Sequence, residues 1–449
     1  MNPYHDPVIP YDLILEGSEA PFAMLEGTVI TRRQFFDEAR YQGLQETSCH
    51  PLINVHEDPY AFSLSLLGAW LMGGMVLLPP DRSDQRRETM KQPFPGVSAG
   101  RFWERQHPSG RGLRHCSDER LIWPVLHQEV LVAYTSGSTG QPIPHIKTFG
   151  MLLDGARLID GFLGGTQGVT LISTVPQQHM YGLELSVLLP LFCGALLSGN
   201  KPFYPADIMA ALDQAPRPRA LVTTPLHLKI LLDSGLSMPP IDWMVSATAP
   251  LHQDLATVLE RSFDAPLFEI YGCTEAGSLA GRRPSGGSSW RWFEGVRSYR
   301  DDGEVFVEAD HFPERIALQD ELTALDSCHF TLEGRCSDLI NIAGKRNSLK
   351  GLEAHFRAIE GLHDVALMIP EWGGEGAVAR LVAFVVADET LTNQVILDAL
   401  RHCLDPVFVP RRLHRVDRLP RNALGKMTMA DLKALLDDLP KAFGSPDGA

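Results

Sequence analysis

Short apolar runs alternate with helical stretches across the middle of this chain. The apolar runs lie at residues 130–133, 169–173, 195–197, 220–222, 244–245 and 267–270. The stretches between them that place apolar side chains at helical spacing are residues 151–162, 183–192, 206–212, 226–232 and 253–262. Fully apolar strands that alternate with helices indicate a mostly parallel sheet with helices on both faces. We therefore predict an α/β fold for this region.

The region upstream has a weaker pattern of the same kind. We predict a helix over residues 32–42, with Thr31 as its N-cap because a threonine hydroxyl can accept a free N–H of the first turn. A strand at 53–55, a helix at 64–73 and a strand at 75–78 follow. Residues 81–120 are polar and rich in Arg, Gly and Pro, which predicts surface loops.

The region downstream changes character. Residues 303–307 and 328–332 alternate like half-exposed strands, which predicts a small β subdomain. A compact unit then follows, with helices at 352–359, 395–404 and 429–439 and strands at 365–369, 381–386 and 411–420. We predict a large N-terminal domain over residues 1–336, followed by a small α+β domain over residues 337–449.

Composition narrows the class of protein. The 449 residues contain 40 basic and 55 acidic side chains, so the formal charge is 40 − 55 = −15, which disfavours a nucleic-acid or anionic-membrane partner. The seven cysteines are scattered without a Cys-x-x-Cys pair, which is typical of a reduced, cytoplasmic protein without a zinc cluster. We expect no secretory signal at the N-terminus, and the apolar stretch 64–78 is too short and too glycine-rich to predict a membrane span.

A loop rich in small donors follows the strand at 130–133. Its sequence is Tyr134-Thr135-Ser136-Gly137-Ser138-Thr139-Gly140-Gln141-Pro142. Glycines allow backbone N–H groups to approach an anion, and Ser and Thr hydroxyls add donors without bulk. Taken alone, such a loop is more often a polar surface turn. Its position after a strand of a parallel sheet is where ligands bind, so a polyphosphate site is the alternative.

Three further motifs follow in order along the chain. They are Tyr271-Gly272-Cys273-Thr274-Glu275, Asp320 with Gly334-Arg335, and Pro420-Arg421-Asn422-Ala423-Leu424-Gly425-Lys426. Together with the loop at 134–142 they resemble the adenylate-forming superfamily of acyl-CoA synthetases, peptide-synthetase adenylation domains and luciferases. The resemblance covers about residues 20 to 440.

The resemblance implies an ATP site in the large domain. Thr135, Ser136, Gly137, Ser138, Thr139 and Gly140 would hold the β,γ-phosphates. Tyr271 and Gly272 would lie at the adenine, Thr274 would meet the α-phosphate, and Glu275 would help bind Mg²⁺, for which a carboxylate is a suitable ligand. Ala247, Thr248 and Ala249 belong to a small-residue turn beside the adenine and the acyl pocket. His179 and Gly182 would complete that pocket for the carboxylic acid.

The resemblance also implies roles for residues near and beyond residue 320. Asp320 would accept hydrogen bonds from the ribose hydroxyls, and Arg335 would supply fixed donors nearby. Lys426 would be the catalytic lysine, a point charge that stabilises the developing negative charge when the acid attacks the α-phosphorus. Ser337 would be the hinge about which the small domain rotates, and Gly344 would line the path of a phosphopantetheine arm.

The chain departs from the family pattern at three places, one of which is Ser337, where the hinge usually carries Asp or Lys. The loop motif normally ends Gly-x-Pro-Lys, but Ile143 stands where the lysine is expected. Lys147, four residues later, is the candidate to supply the missing charge. Leu318-Gln319 replaces the Thr-Gly that usually precedes the aspartate, so the turn there is expected to differ.

The finer resemblance concerns the acid and the acceptor. The variant Ser-Thr-Gly-Gln-Pro-x-Pro-x-x-Lys is similar to stand-alone AMP-ligases of aryl-polyene and xanthomonadin-type pigment pathways. It implies ATP, Mg²⁺, an aromatic acid such as 4-hydroxybenzoate, and an acyl carrier protein whose phosphopantetheine thiol is the acceptor. Transfer to CoA, from an aryl or a fatty acid, is the alternative.

Three other functions have less support from the sequence. A relative that binds acyl groups or nucleotides without turnover would explain Ile143, Ser337 and Leu318-Gln319, but Glu275 and Lys426 are both present. A phosphate-loop ATPase is disfavoured because neither Gly-Lys pair of this chain lies in a Gly-x-x-x-x-Gly-Lys-Ser/Thr motif. A Ser hydrolase needs a strand directly before its Gly-x-Ser-x-Gly nucleophile turn. The match at residues 96–100 has no predicted strand before it, so this function is disfavoured.

Overall fold

The computed structural model describes residues 19–45, 51–79, 123–136, 142–335, 339–342, 345–369, 381–404, 406–421, 427 and 429–438. These divide into two compact units, and the second contains residues 318–324 and 331–449. The predicted boundary at 336–337 lies outside the described residues and stays a prediction, as do the loops predicted for 81–120.

Nine strands that lie wholly in the first unit belong to one large sheet. Their order is β13-β12-β11-β10-β9-β7-β8-β1-β2. In chain order they are β1 (Pro21–Leu25), β2 (Thr28–Thr31), β7 (Thr170–Ser173), β8 (Leu196–Ser198), β9 (Arg219–Thr223), β10 (Trp243–Ser246), β11 (Leu267–Cys273), β12 (Gly277–Arg282) and β13 (Trp290–Trp292). The pairs from β1 through β8, β7, β9 and β10 to β11 are parallel, and β12 and β13 continue antiparallel. The predicted α/β class is confirmed.

A second sheet in this unit has the strand order β3-β4-β5-β6. Its strands are β3 (Leu52–Ile53), β4 (Val76–Leu78), β5 (Glu129–Ser136) and β6 (Pro142–Thr148). β3, β4 and β5 are parallel, whereas β6 returns antiparallel to β5. Residues 137–141, which lie outside the described residues, come between β5 and β6 in the sequence. The strand predicted at 303–307 is β15 (Glu304–Glu308), which forms a small three-stranded sheet with β14 (Arg297–Asp301) and β16 (Ile316–Leu318). The assignment of residues 328–332 to the same subdomain was wrong, because β18 (His329–Arg335) pairs through His329 and Phe330 with β13 of the large sheet.

Helices connect these strands close to where the sequence predicts them. They are α1 (Arg32–Gln45), α2 (Pro59–Leu71), α3 (Phe149–Phe162), α4 (Met180–Leu183), α5 (Leu189–Cys193), α6 (Pro205–Gln214), α7 (Pro225–Asp233) and α8 (Gln253–Phe263). The Thr31 hydroxyl accepts a hydrogen bond from the Gln34 N–H, so the predicted cap is confirmed. α2 begins earlier than predicted because Asp58 caps it and Pro59 occupies its first turn, where a missing N–H is tolerated.

The predicted helix at 183–192 has an irregular interior. α4 and α5 are joined by one turn of π-helix, Glu184–Leu188. Every residue of this turn is buried, including Glu184 at 3% exposure. Single turns of π-helix inside α-helices often occur at functional sites. This turn places a carboxylate within the first unit's interior.

The second unit has its own core on two faces of one sheet. Its strands β21 (Leu362–Met368), β22 (Val382–Ala387) and β23 (Arg412–Arg415) form that sheet, with helices α9 (Leu349–Arg357), α10 (Asn393–Cys403) and α11 (Met429–Asp438). Val365 and Leu367 pack in one cluster with α9 and α10, whereas Ala366 and Met368 pack with α11. This alternation is the period of a strand buried on both faces.

The remaining strands of the second unit are β17 (Asp320–Ala324), β18 (His329–Arg335), β19 (Leu339–Ile342) and β20 (Lys345–Ser348). The strand predicted at 411–420 was too long, because β23 pairs with β22 only from Arg412 to Arg415. No helix among the described residues is long and apolar enough to cross a bilayer.

Candidate functional site

In the row of strands β9, β10 and β11, the loops after the last two carry five candidate residues of the first unit: Ala247, Thr248, Ala249, Thr274 and Glu275. The three strands are parallel neighbours, so their carboxyl ends lie along one edge of the sheet. β10 is followed by Ala247 and Thr248, and β11 ends within the motif Tyr271–Glu275. Ligands of open parallel sheets bind at this edge. The sheet therefore brings together the predicted adenine-side and phosphate-side residues of these two loops.

Backbone packing explains the glycine of the 271–275 motif. β12 folds back on β11, and a Cβ on Gly272 would lie 2.3 Å from the carbonyl oxygen of Gly277. Such a contact is impossible without displacing the backbone, so only glycine fits at this point of the hairpin. Gly277 itself has a φ of +87°. The turn between them carries Thr274 and Glu275.

Tyr271 is packed in an aromatic cluster. Its ring lies 5.8 Å from the rings of both Trp290 and Phe330 and 6.5 Å from Trp292, in edge-to-face arrangements. Tyr271 is 7% exposed. Edge-to-face pairs at these distances add to the stabilisation from area burial alone. The start of the motif is thus rigidly held.

His145 lies between the phosphate-loop strand and Glu275. It is on β6 opposite Ala133, and its Nε2 is 3.0 Å from the Thr135 hydroxyl and 3.7 Å from the Glu275 carboxylate. Burial lowers the pKa of His145, and the neighbouring Glu275 carboxylate opposes that shift. This histidine links the first residue of the predicted phosphate loop to the predicted magnesium ligand.

Lys147 is buried rather than placed at the end of the loop. It pairs in register with Leu131, deep in the hairpin, whereas Ile143 is opposite Thr135 and half exposed. Lys147 is 1% exposed, and its ammonium group donates a hydrogen bond to the backbone carbonyl of Glu275. Burial lowers the pKa of Lys147 to about 8, although Cys273, Glu184 and Glu275 raise it. Its ammonium therefore contacts the backbone of the Tyr271–Glu275 motif from the buried side.

Glu184 holds the other end of the same turn. Its carboxylate accepts hydrogen bonds from the Ser278 N–H at 3.0 Å and the Ser278 hydroxyl at 2.6 Å. Burial raises the pKa of Glu184, while Ser278 and Lys147 oppose that shift. A Cβ on Gly277 would lie 2.6 Å from its Oε1, so the carboxylate packs directly on the backbone. Lys147 and Glu184 thus hold opposite ends of the segment from Glu275 to Ser278.

The turn after β10 is strained and tied to β11 and β12. Thr248 has a φ of +78°, which is unusual for a β-branched residue. Glu269 accepts a hydrogen bond from the Leu251 N–H, and Arg282 donates to both Glu269 and the Leu251 carbonyl. Burial raises the pKa of Glu269 to about 7 despite Arg282. Ala247 is buried beside this turn, and Ala249 is exposed.

Among the described residues, buried polar atoms without partners lie at Thr248, one of the predicted pocket residues, and at Gln177, two residues before His179. Both amide atoms of Gln177 and the Thr248 hydroxyl are buried and have no hydrogen-bond partner in the described part of the chain. His179 caps α4 and is half buried, and a Cβ on Gly182 would lie 2.2 Å from the Pro176 carbonyl oxygen. Buried polar atoms of native proteins nearly always have partners, so these atoms are suited to a polar ligand.

The residues around Glu275 fit a magnesium ion bound together with phosphates. Magnesium is usually held by one or two carboxylates together with substrate phosphates and waters. The Glu275 carboxylate is 36% exposed and can reach a ligand. The described residues contain no group of three or more metal-ligating side chains, so a site made by protein alone is not present among them.

The remaining candidates lie in the second unit or have side chains outside the described residues. Asp320 begins β17 in the second unit and is half buried. Arg335 ends β18, but its side chain is outside the described residues, as is that of Ser136. The candidates wholly outside them are Gly137, Ser138, Thr139, Gly140, Ser337, Gly344 and Lys426. Their roles stay predictions.

Sequence reasoning missed three residues that organise the site: His145, Glu184 and Glu269. Each is a titratable residue inside a strand or helical segment, on β6, the π-helical turn and β11 respectively. A carboxylate in the apolar stretch 183–192 was the available signal for Glu184. For His145, the signal was its position on the same strand face as Lys147.

Comparison with known proteins identifies the family. A family model described as AMP-binding enzyme matches residues 81–292. A 4-coumarate–CoA ligase from Halorhodospira halophila is 31% identical over 308 residues, which are 67% of this chain and 75% of the relative. A 3-hydroxybenzoate–CoA/4-hydroxybenzoate–CoA ligase from Thauera aromatica is 25% identical over 68% of this chain and 65% of its own length.

Solved structures agree on the fold. The crystal structure of ATP-bound MatB from Rhodopseudomonas palustris has a TM-score of 0.78 at 18% identity, covering 95% of this chain and 98% of that one. The O-succinylbenzoate coenzyme A synthetase from Bacillus subtilis in complex with AMP has a TM-score of 0.76 at 16% identity, covering 94% and 98%. By its 31% identity to the 4-coumarate–CoA ligase and its match to the family model, this chain belongs to the AMP-binding enzyme family, and it is an AMP-forming ligase that activates a carboxylic acid as an acyl-adenylate.

Proposed function

We propose that this ligase activates a small aromatic acid of the 4-hydroxybenzoate type and transfers it to a phosphopantetheine thiol. The observation that carries the choice of acid is the set of unpaired buried polar atoms on Thr248, which is itself predicted to line the pocket, and on Gln177, two residues before the predicted pocket residue His179. A ring hydroxyl would provide these atoms with a partner, whereas a fatty acyl chain would leave them unsatisfied at a cost of about 1–3 kcal/mol each. The relatives' names, coumarate and hydroxybenzoate ligases, point to the same class.

In the first half-reaction a carboxylate oxygen of the acid attacks the α-phosphorus of ATP and pyrophosphate leaves. We assign Tyr271 to the adenine, Thr274 to the α-phosphate and Glu275 to the magnesium ion, which supplies positive charge to the phosphates when bound. Asp320 and Arg335 are assigned to the ribose side, and Thr135 to Gly140 to the β,γ-phosphates. Lys426 neutralises charge that develops between the acid and the α-phosphate.

In the second half-reaction the thiolate attacks the acyl carbon and AMP leaves. CoA is the acceptor that the named relatives use, which supports CoA here. An acyl carrier protein is the second candidate, favoured by the motif variant in which Ile143 replaces the usual lysine. A net charge of −15 opposes docking of an acidic carrier protein unless a local basic patch offsets it. Ser337 and Gly344 are assigned to the hinge and to the path of the pantetheine arm.

The test is thioester formation followed by mass spectrometry. The enzyme is incubated with ATP, Mg²⁺ and either CoA or a phosphopantetheinylated carrier protein, and with 4-hydroxybenzoate, benzoate or a fatty acid. We expect 4-hydroxybenzoate to exceed benzoate by at least about tenfold in kcat/KM, because loss of a buried hydrogen bond costs that much. Equal use of benzoate and 4-hydroxybenzoate would contradict the choice of acid. The acceptor that forms the thioester decides between CoA and the carrier protein.

A further inference from the structure

We propose that Lys147 and Glu184 are a buried positioning pair that fixes the segment from Glu275 to Ser278, and with it the magnesium-binding carboxylate. The inference rests on the proposed role of Glu275 and names two residues of the large domain that would act through it. Neither residue would touch ATP or the acid.

The first argument is how completely the pair is buried. Lys147 is 1% exposed and Glu184 is 3% exposed. Charged side chains are almost never fully buried unless they are paired, because the loss of hydration is large. Well-packed apolar residues would often be as stable at such positions or more so. The presence of both charges in this core therefore needs a reason other than stability.

The second argument is what the two groups touch. The Lys147 ammonium donates to the carbonyl of Glu275, and the Glu184 carboxylate accepts from the N–H and the hydroxyl of Ser278. Glu275 and Ser278 flank a tight turn between β11 and β12. The pair thus binds the backbone on both sides of Ala276-Gly277. Fixing these peptide groups fixes the direction in which the Glu275 side chain leaves the turn.

The third argument is that the two groups reach the turn from separate elements. Lys147 is on β6, the strand that follows the predicted phosphate loop, whereas Glu184 is on the π-helical turn between α4 and α5. Strand β6, the Tyr271–Glu275 motif and the helical segment that follows His179 are therefore joined by buried hydrogen bonds to the turn from Glu275 to Ser278. A displacement of any one of them would shift Glu275.

The replacement tests are Lys147→Met, Glu184→Gln and the double variant. Methionine keeps the length of the lysine side chain without its charge, and glutamine keeps the shape and can still hydrogen-bond Ser278. Lys229→Met, at an exposed position on α7, is the matched control. We expect Lys147→Met to raise the Kd for MgATP at least about tenfold and to lower kcat, with the KM for the acid unchanged within about twofold.

Binding of ATP with Mg²⁺ and with EDTA, measured by calorimetry, separates positioning from a general structural role. The wild type is expected to bind MgATP more tightly than metal-free ATP, and Lys147→Met to lose that difference. The double variant should unfold at a temperature no lower than the wild type, because both buried charges are removed together. It should nevertheless lose the magnesium effect as Lys147→Met does, since both side chains act on one turn.

Each outcome decides something. If Lys147→Met and Lys229→Met bind MgATP equally well, the positioning pair is refuted. A double variant that is strongly destabilised would assign Lys147 and Glu184 to folding instead. If the wild type binds MgATP with the expected magnesium effect but forms no adenylate with any acid, the proposed function fails while the pair can still be tested by binding.

Discussion

At the scale of single residues, Gly272 has no room for a side chain. A Cβ there would lie 2.3 Å from the Gly277 carbonyl oxygen and 2.8 Å from the Ser278 Cα. Both are backbone atoms of β12, which cannot shift without moving the turn that holds Glu275. The demand for glycine in the Tyr-Gly-x-Thr-Glu motif is thus steric, and it originates in the hairpin that β12 forms with β11.

We predict that Gly272→Ala destabilises the protein by about 2 kcal/mol, in the range of overpacked cores, and lowers adenylation more than tenfold. The matched control is Gly286→Ala, at an exposed position where a Cβ meets nothing within 4 Å. That change should alter the free energy of unfolding by less than about 0.5 kcal/mol. Urea unfolding measures both, and equal effects of the two substitutions would contradict the steric account.

The sequence singled out Lys147 as a candidate, but it did not predict that this residue is buried. The spacing to the loop singled it out as a source of positive charge, but a one-dimensional distance does not tell which way a strand runs. β6 returns antiparallel to β5, so four residues beyond Ile143 lead into the core, toward Leu131. A lysine there can act on the Glu275 backbone, and the imidazole that stands nearest Thr135 is His145.

At the scale of elements, Arg282 joins β11, β12 and the turn after β10. Its guanidinium contacts Glu269 at 2.6 Å and lies 4.5 Å from the centre of the Trp290 ring. The Glu269 side chain is 2% exposed and that of Arg282 is 12% exposed. This ion pair therefore holds the edge on which Thr248 and Tyr271 are carried. The adjacent Arg283 makes a comparable contact with Glu260, but its side chain is 56% exposed.

We predict that Arg282→Met destabilises the protein by about 3–5 kcal/mol, since it leaves a buried carboxylate without its cation. Arg283→Met, the matched control, should cost less than about 1 kcal/mol because solvent screens that pair. Urea unfolding of both variants at neutral pH is the measurement. Similar losses for the two would show that burial of the Arg282–Glu269 pair does not matter.

The pH dependence of that loss is a separate prediction. Burial raises the pKa of Glu269 from 4.5 to about 7, so its ionisation lowers stability as pH rises through about 7. Without Arg282 the folded pKa rises further, and the penalty for ionisation grows. The gap in stability between wild type and Arg282→Met should therefore be larger at about pH 8.5 than at about pH 5.5. A gap that is constant with pH would contradict the raised pKa.

Most elements could be predicted because their signals are local. Buried strands with an apolar centre, such as β9 and β10, and helices with regular apolar spacing, such as α8, are recognisable from their own residues alone. The limits of β23 were not, because a strand extends only as far as its partner β22 pairs with it. The π-helical turn at Glu184 was also missed, since its irregularity follows from packing around a buried carboxylate rather than from any residue preference.

At the scale of the whole molecule, the candidate residues fall on both units of the chain. Tyr271, Thr274 and Glu275 belong to the first unit, whereas Asp320 and Lys426 belong to the second. The motif order along the sequence predicted both sets, since the resemblance is carried by short segments. The spatial relation between the two sets could not be predicted from the sequence, because it depends on the orientation of two separately folded units.

We predict that Lys426→Ala lowers the rate of adenylation by at least about a hundredfold while the Kd for ATP changes less than about threefold. The reason is that a charge which stabilises only the transition state contributes to kcat and not to ground-state binding. Single-turnover formation of the adenylate, alongside ATP binding by calorimetry, measures the two quantities. A variant that binds ATP poorly but reacts normally once bound would show that the lysine acts in binding.

The central claim is that this chain joins an aromatic acid to AMP, and acid-dependent ATP–pyrophosphate exchange tests it most directly. The assay follows the first half-reaction alone, so it does not depend on whether CoA or a carrier protein is the acceptor. We predict exchange that requires Mg²⁺, is fastest with 4-hydroxybenzoate-type acids and is slow with fatty acids. The account would be contradicted if no aromatic acid stimulated exchange, or if fatty acids did so equally well.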